Sequence, residues 1–354
     1  DWNDVHLNEG DLSVKTQLKK VGKKKPMFVP IGDLEFRKPQ WIIDTLLEEY
    51  SFAVCFGAPA AGKTFVTLDM ALCIATGTSF HGHDVKQGSV FYIAGEGHNG
   101  FARRAAAWSV ANGVDLRGVP FFKSNSSIVL TDDSAVERLI DVIDSMVEEH
   151  GEPALIVIDT LARAMGASDE NSTKEMGGFV QVVDEIKDRY NTTLLAVHHT
   201  GHGAKDRARG SSALLGAVDA EFMVDKWTAD DPVAKIEVKF TKMKDAKIPE
   251  PLNFAHREIE LIGADMEATQ SIVLEVIEGR SKMSKEDRAV TVIKEEFEKL
   301  VETSGQNSVS RSVLKANVSL EMNVSQRQAD RYIKTMLDVQ DLVLDNNNLM
   351  AAWT

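Results

Sequence analysis

The chain has 354 residues, a formal net charge of −14 and only two cysteines, Cys55 and Cys73. So few cysteines exclude a disulfide framework and a cysteine-rich zinc site, and they indicate a reducing, cytoplasmic setting. No apolar run approaches the roughly 18 residues of a membrane span and no signal peptide is visible, so we expect no membrane partner. The acidic balance argues against a protein coated in nucleic acid, although local basic loops can still bind it. The length suits one large domain and a smaller one.

Residues 1–30 are interpreted as a linker or as the tail of an upstream domain. Asp1–Lys25 is polar and ends in a lysine cluster that consists of Lys19, Lys20, Lys23, Lys24 and Lys25. Two interpretations of the cluster stay open: a solvated linker, or an arm that contacts DNA. Because the sequence begins with Asp1 rather than Met, we expect a fragment or a processed product. Residues 31–263 are predicted to form the main domain.

The stretch from Ser51 to Thr64 predicts a strand followed by a phosphate-binding loop. Ser51–Phe56 is mostly apolar, as in a buried parallel strand, and the residues after it match the pattern G-x-x-x-x-G-K-[ST]. In this pattern the glycines allow a tight turn around phosphate oxygens, the lysine supplies a cation for the β- and γ-phosphates, and the threonine hydroxyl can ligate Mg²⁺. A helix over Phe65–Thr76, ended by Gly77, directs its positive N-terminal end at the phosphates. The residues predicted to bind ATP are Gly57, Ala58, Pro59, Ala60, Ala61, Gly62, Lys63, Thr64 and Phe65.

Two further apolar strands end in carboxylates. Ser89–Gly95 is followed by Glu96, which is placed to act as a general base; a simple turn carboxylate is the alternative. Ala154–Ile158 is followed by Asp159, the Walker B arrangement, in which a carboxylate holds Mg²⁺ or its water across from Thr64. The sequence therefore predicts a metal site shared by Thr64 and Asp159.

A fourth strand, Thr193–Val197, runs into His198 and His199, either of which can sense the γ-phosphate. With His202 these side chains also suggest zinc ligands. The zinc interpretation is disfavoured because no cysteine or carboxylate cluster accompanies the histidines.

Three helices are predicted between these strands. Asn99–Asn112 carries Arg103 and Arg104, which lie either near the nucleotide or on a solvated face. Another helix runs from the N-cap residues Thr131–Ser134 to about Glu149. The third is predicted to begin at a capping box formed by Ser172 and Glu175.

Two loops near the strand ends carry cations. The cationic residues are Arg163 in Leu161–Glu170, and Lys205, Arg207 and Arg209 in Gly201–Ser212. A flexible cationic loop beside the sensor strand suits binding to the phosphates of single-stranded DNA, and an exposed surface loop is the alternative.

A hairpin of Glu221–Lys226 and Ala234–Thr241 is predicted next, and it leads to Lys242-Met243-Lys244. Glu258–Ile262 is expected to be the last strand of the main domain. Residues 264–287 are predicted to form a linker, in which Ile272–Leu274 can seed a short helix.

Residues 288–354 predict a small, mainly helical domain. Its helices are Arg288–Val301, Ser310–Ser319 and Ser325–Leu337, and a short terminal hairpin follows. Three helices and a hairpin resemble a winged helix. The candidate recognition helix carries Gln326, Arg327, Gln328, Arg331 and Lys334. DNA binding and a role as a protein-docking cap both stay open.

The order of these motifs resembles the RecA-like ATPases, especially the RepA-type hexameric helicases, their phage relatives and DnaB-like helicases. The likeness covers Pro39 to Ile262 and rests on GAPAAGKT, AGEGHNGFARR, LIVIDTLARAMG, DENS and VHHTG followed by RGSSAL. It implies an α/β fold with a RecA-like P-loop core and a mostly parallel sheet. The opening Asp1-Trp2-Asn3-Asp4 is similar to the end of a toprim primase domain, which would make this chain the helicase part of a primase–helicase.

The resemblance also implies roles for matching residues. Glu96 orients and deprotonates the attacking water, and Lys63 holds phosphates. His199 or His198 senses the γ-phosphate. A neighbouring subunit completes the ATP site with a basic residue, here Lys244 or Arg209. Lys244 stands where relatives carry the arginine of a K-x-R pair, and lysine does not reproduce the bidentate fork of arginine.

The resemblance predicts a DNA helicase of a replication module that depends on ATP and Mg²⁺, in a bacterial or phage-infected cell. The helicase would form a hexameric ring around single-stranded DNA. It would work with a primase domain or a primase partner. The loops containing Arg163 and Gly201–Arg209 would face this DNA. A RecA-like regulatory or recombination ATPase that does not unwind DNA is the alternative. A small-molecule kinase is a third interpretation, disfavoured because no acceptor pocket or lid is visible.

Overall fold

The computed structural model describes residues 28–34, 38–96, 98–201, 207–226, 234–263, 266–277, 285–322, 324–345 and 348–352. The chain divides into two compact units, residues 1–40 and 41–354. In the first unit, the described residues form a single 3₁₀ turn at Ile31–Asp33. The predictions made for Asp1–Asp4, for the lysine cluster and for the turn of the 226–234 hairpin lie outside the described residues.

The strands are β1 Trp41–Ile43, β2 Leu47–Glu48, β3 Phe52–Gly57, β4 Ser89–Ala94, β5 Phe121–Lys123, β6 Pro153–Asp159, β7 Thr193–His199, β8 Ala220–Lys226, β9 Ala234–Met243, β10 Leu252–Ile262, β11 Ala268–Val276, β12 Val309–Ser310, β13 Leu342–Asp345 and β14 Asn348–Ala351. The helices are α1 Lys63–Thr76, α2 His98–Asn112, α3 Asp133–His150, α4 Leu161–Ala164, α5 Thr173–Tyr190, α6 Ser212–Ala217, α7 Lys285–Ser304, α8 Arg311–Glu321 and α9 Gln326–Asp338.

Within the described residues, nine strands form one sheet in the order β11-β10-β9-β8-β3-β7-β6-β4-β5. The strands from β8 to β5 in this order pair in parallel, and β9 to β11 extend the sheet with antiparallel pairs. This mostly parallel α/β sheet confirms the predicted fold class. Because the carboxyl ends of parallel strands share one edge, the ends of β3, β4, β6 and β7 lie together.

Both faces of the sheet are covered, as the continuous apolar strands predict. Successive residues of β3 enter two different hydrophobic clusters: Cys55 packs with α1 and α2 on one face, and Phe56 packs with α5 on the other. Both cysteines are free and buried. Helix α1 ends at Gly77, as predicted, in the left-handed region (φ 74°), with the Gly77 amide donating to the Cys73 carbonyl.

The predicted capping box at the start of α5 is half formed. The Ser172 hydroxyl accepts from the Glu175 amide at 3.4 Å. The Glu175 carboxylate accepts from the Asp169 amide at 2.5 Å rather than from Ser172. It thereby ties the preceding loop to the helix.

The prediction of a linker over 264–287 is wrong for its central part, because Ala268–Val276 form strand β11. This strand pairs antiparallel with β10 along its whole length. The side chains of Val273 and Leu274 are buried in the main core, so the short helix predicted there is also wrong, and β10 is not the last strand of the sheet.

The C-terminal elements have a core of their own. Helices α7, α8 and α9 surround residues that include Ile293, Leu314 and Ile333, and a small sheet of order β12-β14-β13 closes one side. The predicted helices and hairpin of this region are therefore present. Across the described residues, none of the helices is both long enough and apolar enough to cross a membrane.

Candidate functional site

A cavity of about 590 Å³ lies at the carboxyl edge of the parallel strands. Residues 60–65 of the predicted phosphate-binding loop line it, together with Glu96, Asp159 and His199. Gly57, Ala58 and Pro59 form the first half of the loop and do not line the cavity. The structure thus brings together residues from four separate motifs of the sequence.

Two glycines shape the loop. Gly62 has φ 102° and caps α1, and a Cβ there would clash with the Ile236 side chain. A Cβ at Gly57 would clash with the carbonyl oxygen of Val224 on β8. The neighbouring backbone therefore leaves no room for a side chain at Gly57, and the left-handed conformation favours glycine at Gly62.

The Lys63 ammonium is buried in the mouth of the loop. It donates to the carbonyls of Gly57 at 3.0 Å and Ala58 at 2.9 Å, and lies 3.4 Å from Nδ1 of His199. Burial lowers the pKa of Lys63. A phosphate oxygen would offer this ammonium a charged partner in place of carbonyl dipoles.

The two residues predicted to hold a metal are in direct contact. Thr64 Oγ1 donates to Asp159 Oδ2 at 3.0 Å, and the Tyr92 hydroxyl donates to the same oxygen at 2.7 Å. Burial raises the pKa of Asp159, and these two hydrogen bonds oppose the increase. A bound cation would favour the ionised carboxylate further.

The donor set fits Mg²⁺ with a nucleotide. A hydroxyl and a carboxylate are the hard oxygen ligands that Mg²⁺ prefers. Oγ1 of Thr160, which lines the same cavity, is buried without a hydrogen-bond partner. Within the part of the chain that is described, no group of three or more histidine, cysteine, aspartate or glutamate side chains could hold a metal. Few protein ligands suffice here, because Mg²⁺ keeps waters and substrate phosphates in its shell.

Glu96, the predicted base, lines the cavity and contacts Arg163, which was predicted to bind DNA. Arg163 Nε donates to Glu96 Oε1 at 3.1 Å, and the two side chains are 63% and 48% exposed. The Gly95 amide donates to the Asp159 carbonyl at 2.5 Å, which fixes the end of β4 beside β6. The structure therefore joins two residues that the sequence had assigned to different tasks.

The two histidines of β7 point to opposite faces of the sheet. His199 lines the cavity, and its pKa is lowered by burial and by Lys63. His198 is fully buried away from the cavity, where its Nε2 donates to the Arg209 carbonyl at 2.8 Å. Burial lowers the pKa of His198 to about 4. Of the two predicted sensors, only His199 can touch a ligand in this cavity.

Neither residue predicted to act in a neighbour's site lines this chain's cavity. Arg209 forms an ion pair with Glu170. Lys244 lies 3.4 Å from Asp219, whose carboxylate also accepts from the Phe52 amide at the start of β3. Lys244 thus lies at the edge of the sheet opposite the cavity.

The described part of the second predicted DNA loop is fastened to the first loop. The Ser211 amide donates to the Glu170 carbonyl at 2.9 Å, and the hydroxyls of Ser211 and Thr173 are 3.0 Å apart. Arg207 is exposed. Lys205 and His202, which the predictions also named, lie outside the described residues.

Sequence reasoning missed Lys226, Ile236 and His256, which line the cavity. Arg104 also lines it, and its guanidinium lies 4.8 Å from the centre of the Phe65 ring. The sequence had left Arg103 and Arg104 equal, whereas the structure selects Arg104. Lys226 ends β8, and Ile236 and His256 lie on β9 and β10 in the antiparallel extension, so no local signal marks these three residues.

Tyr92 was missed for a different reason. It lies inside an apolar strand, and its fully buried hydroxyl signals a required partner. Only the pairing of β4 with β6 shows that this partner is Asp159.

A glycine-rich loop, a buried lysine and a strand-end aspartate around one cavity define a P-loop nucleotide-binding protein. The family model of the AAA domain matches residues 25–205. The chain belongs to this family, and it is accordingly a P-loop ATPase with a fold consistent with a RecA-like core. No curated protein matches the chain.

Proposed function

We propose that this ATPase is a motor of a replication module that moves along single-stranded DNA and unwinds duplexes. The observation that carries the proposal is the ion pair between Glu96 and Arg163. It connects the candidate base of hydrolysis to a loop that the helicase resemblance assigns to DNA. The proposal therefore includes a route by which DNA can control hydrolysis.

The residues predicted from the motifs have separate tasks in the proposed reaction. The loop amides and Lys63 hold the β- and γ-phosphates, and Thr64 and Asp159 hold Mg²⁺. When bound, Mg²⁺ neutralises charge on the phosphate oxygens. Glu96 accepts a proton from the water whose oxygen bonds to the γ-phosphorus as the bond to the β–γ bridging oxygen breaks. His199, next to Lys63, is placed to respond to the loss of the γ-phosphate.

The Arg163 guanidinium competes with this proton transfer. While Arg163 Nε donates to Oε1 of Glu96, that oxygen already accepts a hydrogen bond and is less available to the attacking water. DNA phosphates attract the same guanidinium. Binding of DNA to Arg163 would release Glu96 and so stimulate hydrolysis.

We propose further that the motor is a homo-oligomeric ring, with six subunits as in the helicases it resembles. Lys244 lies opposite the cavity of its own chain, so it could act only in the cavity of a neighbour. A primase domain or partner upstream of the ring belongs to the same proposal.

The experiment that tests the proposal is strand displacement of a tailed duplex with ATP, read together with particle mass in solution. An oligomer that separates the strands, with Lys63→Ala as the inactive control, supports it. A monomer that hydrolyses ATP without separating the strands would instead indicate a regulatory or recombination ATPase.

The variant Arg163→Ala tests whether the ion pair between Arg163 and Glu96 couples DNA binding to hydrolysis. Removing an exposed ion pair worth about 0.2–1 kcal/mol should raise DNA-independent turnover by roughly 1.4- to 5-fold, while stimulation by DNA and strand displacement are lost. Arg103→Ala, an exposed arginine on α2, is the matched control. If Arg163→Ala keeps wild-type stimulation by DNA, the proposed coupling is wrong.

A further inference from the structure

The C-terminal elements have the order of a helix-turn-helix module followed by a hairpin. Helix α8 ends at Glu321 and α9 begins at Gln326, with the Ser325 hydroxyl accepting from the Gln328 amide at 3.3 Å. The hairpin of β13 and β14 follows α9, and β12, which precedes α8, pairs with β14. In helix-turn-helix proteins the second helix enters the major groove, and its N-terminal residues reach base edges.

Helix α9 buries one face and exposes a basic one. Ala329, Ile333 and Met336 are fully buried in the C-terminal core. On the opposite side Arg327, Arg331 and Lys334 are all exposed. Their spacing of four and three residues places them in one row along the helix.

These three cations are available to a ligand. Within the described part of this region, the cationic side chains that form ion pairs are those of Lys294, Lys299 and Arg311, and not those of the row on α9. The pair of Arg311 with Asp330 neutralises a carboxylate of α9 itself, so it reduces the negative charge next to the row.

The helices of this region differ in charge: α7 carries more carboxylates than cations, whereas α9 carries three cations and two carboxylates, Asp330 and Asp338. The acidic residues of α7 include Glu295, Glu296, Glu298 and Glu302. The row on α9 is basic although the whole chain carries a net charge of −14. Such a local basic surface on an acidic protein is the electrostatic footprint of a polyanion-binding site.

We infer that α9 binds duplex DNA in the major groove, at a site separate from the ATPase cavity and independent of the proposed motor function. Arg327, Arg331 and Lys334 contact phosphates along the groove. Gln326 and Gln328 lie at the N-terminal end of α9, where glutamine can pair with adenine edges. The Gln328 side chain is held by its hydrogen bond to the Tyr332 hydroxyl at 3.1 Å.

The test is the binding of a labelled blunt duplex to the full chain without nucleotide, measured by fluorescence anisotropy over a range of salt concentrations. For Arg331→Ala with Lys334→Ala, we expect weaker binding and a slope of log K against log salt that is smaller by about 1.8, since each lost phosphate contact removes about 0.9. The matched control is Lys294→Ala with Lys299→Ala, which removes the same charge from the acidic helix α7 and should leave the slope unchanged.

ATP turnover stimulated by single-stranded DNA is measured in the same variants and should stay at the wild-type level, which separates this site from the motor site. If the α9 variant binds the duplex with the affinity and salt slope of its control, the inference is overturned. The basic row would then belong to a protein-docking surface.

Discussion

Burial disfavours the charged forms of the two central ionisable side chains of the cavity, Lys63 and Asp159. It lowers the pKa of the Lys63 ammonium and raises the pKa of the Asp159 carboxylate. A triphosphate would favour the charged lysine, and Mg²⁺ would favour the charged aspartate. Both side chains thus gain from the bound ligands, which is what a pre-built site for a nucleotide and its metal requires.

His198 gives a residue-scale prediction about stability. Burial lowers its pKa to about 4, whereas an unfolded histidine has a pKa of about 6.5. The hydrogen bond to the Arg209 carbonyl and the Glu170 carboxylate, 4.0 Å away, oppose this shift in pKa, whereas the charges of His199 and Arg209 add to it. Between these two pH values the unfolded chain binds a proton that the folded chain does not.

The free energy of unfolding should therefore fall by about 3 kcal/mol as the pH drops from 6.5 to 4, on account of His198 alone. Denaturant unfolding of wild type and His198→Gln measures this contribution, because glutamine keeps a donor for the Arg209 carbonyl but does not titrate. The variant should lose less stability over this range than wild type. Equal losses would show that His198 is not the buried neutral group described.

At the scale of elements, the two loops beyond β6 and β7 are held as one unit. The ion pair of Arg209 with Glu170 joins them, and Ser211 adds two hydrogen bonds. Oε2 of Glu170 and Nε of Arg209 are buried without partners. Removing either residue would therefore leave the charge of the other buried without its ion-pair partner, and would destabilise the loops.

Arg209 and Arg207 should consequently differ when each is replaced by alanine. Arg209→Ala leaves the Glu170 carboxylate buried without its cation and should lower the free energy of unfolding by about 1–3 kcal/mol. Arg207 is exposed, so its removal should change stability by less than about 0.5 kcal/mol while weakening the binding of single-stranded DNA. Denaturant unfolding and DNA titration of both variants check this. If Arg207→Ala lowered the free energy of unfolding more than Arg209→Ala did, and Arg209→Ala weakened DNA binding more, the structural role of Arg209 and the DNA-binding role of Arg207 would be contradicted.

The elements that could be predicted are those with local signals. The phosphate-binding loop, the strand-end Glu96 and Asp159, and helix α1 with its Gly77 cap follow from residue types at fixed spacing. Strand β11 was predicted as part of a linker because the stretch around it is largely polar, and only pairing with β10 makes Val273 and Leu274 core residues.

Which residues contact each other could be predicted from the sequence less well than which segments form helices and strands. Whether His198 or His199 faces the cavity depends on the register of β7 against β3, which pairs Gly57 with His199. The contact between Glu96 and Arg163 depends on the alignment of Ala94 with Asp159. Such pairings join residues far apart in sequence, and composition does not encode them.

Considering the whole molecule, an acidic chain is proposed to bind DNA through local cationic surfaces. With a net charge of −14, non-specific attraction is weak, and among the described residues the proposed contacts to DNA are Arg163, Arg207 and the basic row of α9. Both proposed DNA sites should therefore be strongly salt-dependent.

The central claim is that the cavity hydrolyses ATP under the control of DNA, with Glu96 as the base. ATP turnover of wild type and Glu96→Gln, measured with and without single-stranded DNA alongside nucleotide affinity, tests it most directly. Wild-type turnover should rise with DNA, while the variant binds ATP normally and loses turnover by about 10²- to 10⁴-fold. A variant with near wild-type turnover, or a wild-type rate that DNA does not change, would contradict this account.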